Sequence, residues 1–454
     1  MAEVGRTFLA PSTPAGHSGI ATVRVSGPSC PRIYREIFYS EPVHRLASCR
    51  DYRDLSGEIV DRVLVTFFTG PKSFTGDDVL EISCHGNPLI VERIVTDLID
   101  RGCLPADPGE FTRRAFWNGK LDLSQAEAVA DLIHARSWAA LRCARRQLSG
   151  ALGHILSGVR EDLLSILAAM ESAIDFSDEG LSEPKWEEFR GTVLLLRKKI
   201  LSLAETFRNR SAIERGVGVV LVGAPNGGKS SLLNALLGRE RALVSPTAGT
   251  TRDFLEEPIR LGPWLIRIID TAGISESASE LDLLSMERSR EKLTEAELIF
   301  WVVDGSQKLG NAEKIGKDLT GRTGAILLNK RDLPQKITQS HSAFRALGWP
   351  VWEVSAKISE DSGRIRDLLQ KLLEEKRILP DGEDLAVNFR QMALLREAAE
   401  ALERAEKLLR ENFVRAECVT EELNCANKTL AAVVGEGVSE KVLDRIFSTF
   451  CIGK

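Results

Sequence analysis

No Cys-x-x-Cys pair occurs among the eight cysteines, no apolar run is long enough to cross a bilayer, and there is no excess of positive charge. The thiols at Cys30, Cys49, Cys84, Cys103, Cys143, Cys418, Cys425 and Cys451 have no zinc-finger spacing. Disulfide scaffolds are usually short secreted chains, so reduced thiols are expected here. A spanning helix needs about 20 consecutive apolar residues, and the lack of one argues against a membrane partner. The opening MAEVGRTFLAPSTPAG lacks the basic start and apolar core of a signal peptide, so the expected location is cytoplasmic. A net charge of −5 excludes a wholly basic nucleic-acid binder and confines any RNA contact to a local patch.

What is present divides the chain by texture. Residues 1–118 alternate β-like runs, Gly19–Ser26, Arg62–Phe68 and Val79–Cys84, with a helical stretch at Pro88–Asp100, which predicts an α+β domain. From 119 to 212 the texture turns helical: glycine and proline are sparse over 122–176, and apolar residues recur at helical spacing, Ala126, Val129, Ala130, Ile133, then Leu163, Leu164, Leu167, Met170. Ser124 and Glu127 have capping-box spacing at the start of that region, and a further helix is expected at about 185–208. A different unit occupies 213–376. Helical periodicity then resumes within 377–454, where Leu394, Leu395, Ala398, Leu402, Ala405, Leu408 and Leu409 form one stripe. Either helical half alone would leave its stripe in water, so the two are expected to pack as one interrupted domain.

The inserted unit carries the chemistry. Gly223-Ala-Pro-Asn-Gly-Gly-Lys-Ser230 lies between the apolar run Val217–Val222 and a helical start at Ser231–Leu237, the strand–loop–helix setting of a phosphate-binding P-loop. Its glycines let backbone N–H groups face phosphates at a helix N-terminus. Asn226, Gly227, Gly228, Lys229, Ser230 and Ser231 are therefore candidate nucleotide contacts, Lys229 on the β/γ-phosphates and Ser230 on Mg²⁺. Asp270-Thr271-Ala272-Gly273 follows a buried-strand pattern, with Asp270 expected at the Mg²⁺ shell and the Gly273 N–H at the γ-phosphate. Asn329, Lys330 and Asp332 form an Asn-Lys-x-Asp motif; the Asp332 carboxylate can accept from guanine N1–H and N2–H₂ but meets an acceptor at adenine N1. Ser355-Ala356-Lys357 fits a loop closing over the base. Ser245, Pro246, Thr247, Ala248, Gly249, Thr250 and Thr251 occupy the switch I interval, with Thr251 the second candidate Mg²⁺ ligand. Four motifs in this order, each after a strand, read as a GTPase. One part is missing: Ile274, not glutamine, follows the Asp-Thr-Ala-Gly motif, so water orientation and transition-state charge must be supplied otherwise.

Five further segments extend over the rest of the chain: Gly19–Gly27, Ser73–Glu81, Pro108–Phe116, Lys120–Asp131 (KLDLSQAEAVAD) and Phe447–Lys454 (FSTFCIGK). With the nucleotide motifs they make the sequence resemble the MnmE (TrmE) family of tRNA-modification GTPases. The resemblance implies an N-terminal α+β folate-binding and dimerisation domain, and an α/β P-loop GTPase domain inserted in an α-helical domain. It implies a homodimer working with the FAD protein MnmG, as a heterotetramer, to build an aminomethyl-type (carboxymethylaminomethyl) group on C5 of the wobble uridine of certain tRNAs. A tetrahydrofolate derivative supplies the one-carbon unit. By position, the folate contacts would be Arg24, Glu81, Lys120 and Lys454. Cys451 falls on the family's motif cysteine, proposed there for the modification chemistry, although a thiol in that place fits packing equally. K⁺ replaces an arginine finger as G domains pair, with Asn226, Ser245, Thr247 and Thr250 at the matching positions.

Two departures stand out. Where the family has a water-orienting glutamate, ungapped counting reaches Asp282, one methylene shorter, with Glu280 and Glu287 nearby. Where the family commonly has Arg-Gly-Gly, this chain has His17-Ser18-Gly19. His85, in a matched His-Gly pair, reads first as structural. The competing functional class is a GTPase switch that assists ribosome or RNA assembly; the Lys120 and Cys451–Lys454 motifs favour tRNA modification.

Overall fold

A computed structural model describes residues 5–175, 186–214, 216–224, 226–237, 258–262, 264–269, 296–308, 319–339, 341–375, 385–411 and 414–453. The chain separates into two compact units: Met1–His134 with Ala144–Ala204 and Arg390–Lys454, and Ala135–Cys143 with Glu205–Phe389.

In the first unit a six-stranded sheet runs in the order β3 (Ser48–Arg53), β4 (Ile59–Phe68), β5 (Val79–Gly86), β2 (Ser18–Ser26), β1 (Phe8–Pro11), β6 (Leu104–Pro105). Pairing is antiparallel except between β1 and β6. Side chains alternate across a strand, and here the alternation sorts function from core. Val23, Val25, Leu80, Ile82, Val63 and Val65 are buried with Ile33 and Ile37 of helix α1 (Cys30–Phe38) and Ile94 and Leu98 of helix α2 (Pro88–Asp100). The residues between them, Thr22, Arg24, Glu81 and Ser83, are part-exposed on the opposite face. Helix α2 begins where the sequence predicts it: Pro88 occupies the first turn and the Asn87 side chain accepts from Leu89 N–H.

The helical halves pack into this same unit. In the helix Phe389–Leu409 the buried stripe is Leu395, Ala398, Leu402, Ala405 and Leu409, with Leu394 and Leu408 at its margins. Helix Ala416–Val434 lies against helix Ala151–Asp175 from the other half. Polar groups also join the halves: Gln147 donates to Gln391 at 2.9 Å, Gln391 to Glu127 at 2.7 Å, and Arg390 reaches both Glu127 oxygens at 2.7 and 2.9 Å. Arg390 also donates to the carbonyls of Ala432 and Val433 at the end of a helix, where a cation is favoured.

The capping expectation is corrected. Asp122 and Gln125 form the reciprocal box that opens the helix Leu123–His134: Gln125 N–H donates to Asp122 Oδ1 at 2.8 Å, and Asp122 N–H to Gln125 Oε1 at 2.9 Å. Ser124 is already inside the helix, donating to Asp122, and Glu127 is committed to Arg390 and Gln391. Two boxes two residues apart compete for the same start, and the earlier acid captures it.

In the second unit the sheet order is β12 (Val351–Glu353), β11 (Gly324–Asn329), β10 (Leu298–Asp304), β7 (Val217–Val222), β9 (Trp264–Ile269), β8 (Pro258–Leu261), all parallel except β8. Strands β7, β10 and β11 are almost continuously apolar because both faces are covered, Val219, Leu221 and Phe300 on one side and Trp301, Ile326 and Leu328 on the other. Strand β7 lies between β9 and β10, so the chain turns to opposite sides of the sheet at its carboxyl end, where such folds place a ligand. The predicted P-loop leaves there.

Candidate nucleotide-binding site

The loop after β7 passes through Asn226, in the left-handed region at φ 61°, and enters the helix Lys229–Leu237. Gly228 adopts φ 94°, and a Cβ there would lie 2.1 Å from the Asn329 side-chain nitrogen. Only glycine fits both the turn and that approach. The buried Asn329 side chain ties three loops: it donates to the Gly227 carbonyl at 2.9 Å and accepts from Ala356 N–H at 3.3 Å. Lys229 is buried, with its ammonium donating to the carbonyls of Gly223 at 2.8 Å and Ala224 at 3.0 Å. A cation is thus folded over the loop at the start of a helix, where N–H groups and the helix dipole favour an anion. Ser230 and Ser231 are exposed in the first turn, with Ser230 able to offer a hydroxyl oxygen to a hard cation.

The second cluster stands beyond β11 and β12. Ser355 Oγ donates to Asp332 Oδ1 at 2.6 Å, and Lys357 N–H reaches Ser355 Oγ at 3.3 Å. The Ser355 hydrogen bond, with nearby Lys357 and Lys330, outweighs desolvation and holds the Asp332 carboxyl below the usual range. It is therefore an anion at neutral pH, exposed and fixed by one of its oxygens. Ser355 is itself fixed, because its N–H donates to the buried Asp361 at 2.6 Å. Arg331 closes on both Asp361 oxygens at 2.7 Å. Lys330 turns elsewhere, donating to Asp304 at the end of β10 at 2.6 Å. Burial pushes Asp304 up, but hydrogen bonds from Lys330 and Ser306 prevail and lower it.

The structure thus brings Asn329 and Ala356 to Gly227 and Gly228, and Ser355 and Lys357 to Asp332. Asp361 and Asp304 were missed from sequence. Asp361 had a faint signal, as an acid in the first turn of the helix Ser359–Glu375 directly after Ser355-Ala356-Lys357. Ser245, Pro246, Thr247, Ala248, Gly249, Thr250, Thr251, Asp270, Thr271, Ala272, Gly273, Asp282 and Lys454 lie outside the described residues.

A separate constellation forms in the first unit, where the chain's last residues return to the N-terminal sheet. Arg24 and Glu81 are register partners on β2 and β5, and the guanidinium meets the carboxylate at 2.7 Å. Arg24 also sits 5.6 Å from the centre of the Phe111 ring and donates to the Gly453 carbonyl at 3.5 Å. The tail is held by Phe447 and Phe450, buried with Leu123, Ala126 and Leu443, and by Arg113 paired with Glu440 and Asp444. At Gly453, φ is 93° and a Cβ would lie 2.4 Å from the Pro11 carbonyl oxygen, so the approach requires glycine. Arg24 and Glu81 together present a donor fork and an acceptor on a part-open face, which suits a ligand with both an anionic tail and an amide-like edge. Lys120 is exposed and donates to the Pro71 carbonyl at 3.0 Å; no direct bond to Arg24 or Glu81 is found among the described residues. His85 pairs with Asp61 at 2.8 Å, and Ser18 packs against Gly86.

Two family models match the chain. One described as the MnmE helical domain matches residues 123–451, and one described as the GTP-binding protein TrmE N-terminus matches residues 7–120. Proteins named tRNA modification GTPase MnmE are similar over nearly their full lengths. That from Opitutus terrae is 42% identical, covering 99% of both chains. That from Aquifex aeolicus is 37% identical, covering 98% of this chain and 99% of its own, and that from Chlorobium chlorochromatii is 37% identical, covering 98% of each. The chain belongs to the MnmE family. The expected fold class stands: an N-terminal α+β domain, then a helical domain that carries an inserted P-loop GTPase domain. In MnmE terms, the two constellations occupy the G domain and the junction of the N-terminal sheet with the tail. No helix among the described residues is long and apolar enough to cross a membrane.

Proposed function

We propose that this chain hydrolyses GTP in the service of tRNA modification. The observation that carries the reading is the pairing of an ionised, serine-held Asp332 with a P-loop bridged to it through Asn329 and Ala356. The carboxylate selects the guanine edge, and the loop amides with Lys229 receive the phosphates, where the ammonium exchanges two carbonyls for phosphate oxygens. Mg²⁺, held by Ser230 and Thr251, supplies neutralising charge when bound. K⁺ at Asn226, Ser245, Thr247 and Thr250 is the counterpart of an arginine finger, and the exposed Asn226 at φ 61° supports that reading. Asp282 orients the attacking water, on the strength of its position after the Asp-Thr-Ala-Gly motif; Asp282→Ala is expected to slow turnover while GTP affinity holds.

The modification itself is proposed as attachment of an aminomethyl-type group to C5 of the wobble uridine, with MnmG as partner and the N-terminal domains pairing as a homodimer. Arg24, Glu81, Lys120 and Lys454 would hold a tetrahydrofolate derivative, which supplies the one-carbon unit. Cys451 would act at the tail. Mass spectrometry of wobble nucleosides from cells with and without the gene tests the whole reading; unchanged C5 substitution in the deletion overturns it. Equal GTP turnover in K⁺ and Na⁺ removes the potassium part alone.

A further inference from the structure

Cys451 differs from Cys30, Cys49, Cys84, Cys103 and Cys425 in its neighbour. Burial pushes the Cys84 thiol up to about 11 and the Cys103 thiol up to about 12, and holds the Cys30 thiol well above its ordinary value. Those three remain protonated and shielded. Cys49 and Cys425 are exposed, with no imidazole hydrogen bond among the described residues. Cys451 is also exposed, but its Sγ lies 3.9 Å from His134 Nε2, within the longer range of sulfur hydrogen bonds.

The other side of the ring decides the direction of that contact. His134 is the last residue of the helix Leu123–His134, and its Nδ1 lies 2.9 Å from the Ala130 carbonyl oxygen. A carbonyl can only accept, so Nδ1 must carry a hydrogen. In the neutral ring Nε2 is then a bare acceptor, and the Cys451 S–H is the donor of the pair. If the proton passes over, the S–H bond breaks and an Nε2–H bond forms, leaving a thiolate beside an imidazolium. The tail is fixed in this place by the Phe447 and Phe450 packing and by the close approach of Gly453 to Pro11. This aligns sulfur and nitrogen before any substrate arrives.

We propose that His134 is a positioning residue that accepts the Cys451 proton and turns the tail thiol into a nucleophile. This rests on the reading that Cys451 acts in the modification chemistry. The matched segment Lys120–Asp131 ends three residues before His134, so nothing in the sequence ties that histidine to the Cys451 segment.

The test uses the purified full chain and iodoacetamide, with alkylation of each cysteine followed by peptide mass spectrometry. The thiolate displaces iodide, a C–S bond replaces a C–I bond, and the thiol proton remains on His134. His134→Ala should slow alkylation of Cys451 about tenfold relative to Cys49 in the same sample, the effect of losing the neighbouring base. Added imidazole should restore much of the rate in His134→Ala and little in the unsubstituted protein, a rescue that a packing role would not show. His134→Gln, which keeps a polar side chain without a titrating nitrogen, should show the same loss. An unchanged Cys451-to-Cys49 ratio in both variants, or a loss that imidazole fails to restore, overturns the proposal. The assay needs neither GTP nor tRNA. Its failure therefore leaves the GTPase reading intact, and failure of that reading shows in nucleotide turnover rather than here.

Discussion

The nucleotide site and the tail site are built in opposite ways. In the G domain each functional residue follows the carboxyl end of a parallel strand, so short local motifs arrive at one edge of one sheet. At the tail, Arg24, Glu81, Phe111 and Gly453 meet across more than 400 positions of sequence, through cross-strand register and the docking of a terminal helix. The first site is determined by backbone geometry and tolerates little local change; the second depends on packing far from the chemistry. Perturbations should reflect that contrast.

The largest effect is expected at the base end of the G domain. Asp332→Asn replaces an acceptor with a donor toward the guanine edge and should weaken GTP binding about 10³-fold, while xanthosine triphosphate, with a carbonyl at C2, gains affinity. Fluorescent-nucleotide competition measures both. Lys229→Ala should lower GTP turnover about 10²-fold, the scale of removing one preorganised charge from a transition state; single-turnover hydrolysis reads it. Gly228→Ala forces a Cβ against Asn329 at a left-handed backbone position, so the loss of nucleotide binding should accompany a G-domain destabilisation of about 1–3 kcal/mol. Denaturant melts monitored at Trp301, whose ring is buried in this domain, check it.

How much of this was legible follows from the same contrast. The P-loop, Asn329-Lys-Arg-Asp332 and Ser355-Ala-Lys357 could be read because the strands before them are nearly pure apolar runs and their spacing along the chain is the spacing of the sheet. Helix α2 could be read because Asn87 and Pro88 announce it. The Asp122/Gln125 box was misassigned because Ser124/Glu127 satisfies the same pattern two residues on; the earlier acid takes the helix start, and Glu127 is committed to Arg390 and Gln391. The Arg331–Asp361 clamp and the His134–Cys451 contact were not legible, since neither residue pair has a fixed sequence separation. Arg24 and Glu81 entered through resemblance alone; their direct pairing needed the strand register.

The smallest effect sharpens the comparison within one kind of interaction. Asp54, in the N-terminal domain, is also held by a serine hydroxyl, Ser56 Oγ at 2.6 Å, with Arg93 alongside, and is pushed down to about 2. Its depressed pKa means stability that is present above the ordinary carboxylate range and lost as pH falls toward about 2. Asp54→Asn should be less stable than the unsubstituted protein at neutral pH, with the gap closing on acidification; thermal melts across pH read it. Asp332, by contrast, should shift ligand affinity rather than fold stability when its serine is removed, because its free edge is the one proposed for the nucleotide.

The central claim is guanine choice by a serine-held carboxylate above a phosphate loop. Calorimetric titration of the purified full chain with GTP and ATP in Mg²⁺ and K⁺ tests it most directly. Saturable GTP binding with ATP at least about 100-fold weaker is the predicted result. Equal affinity for the two nucleotides, or no heat from either, would contradict the account.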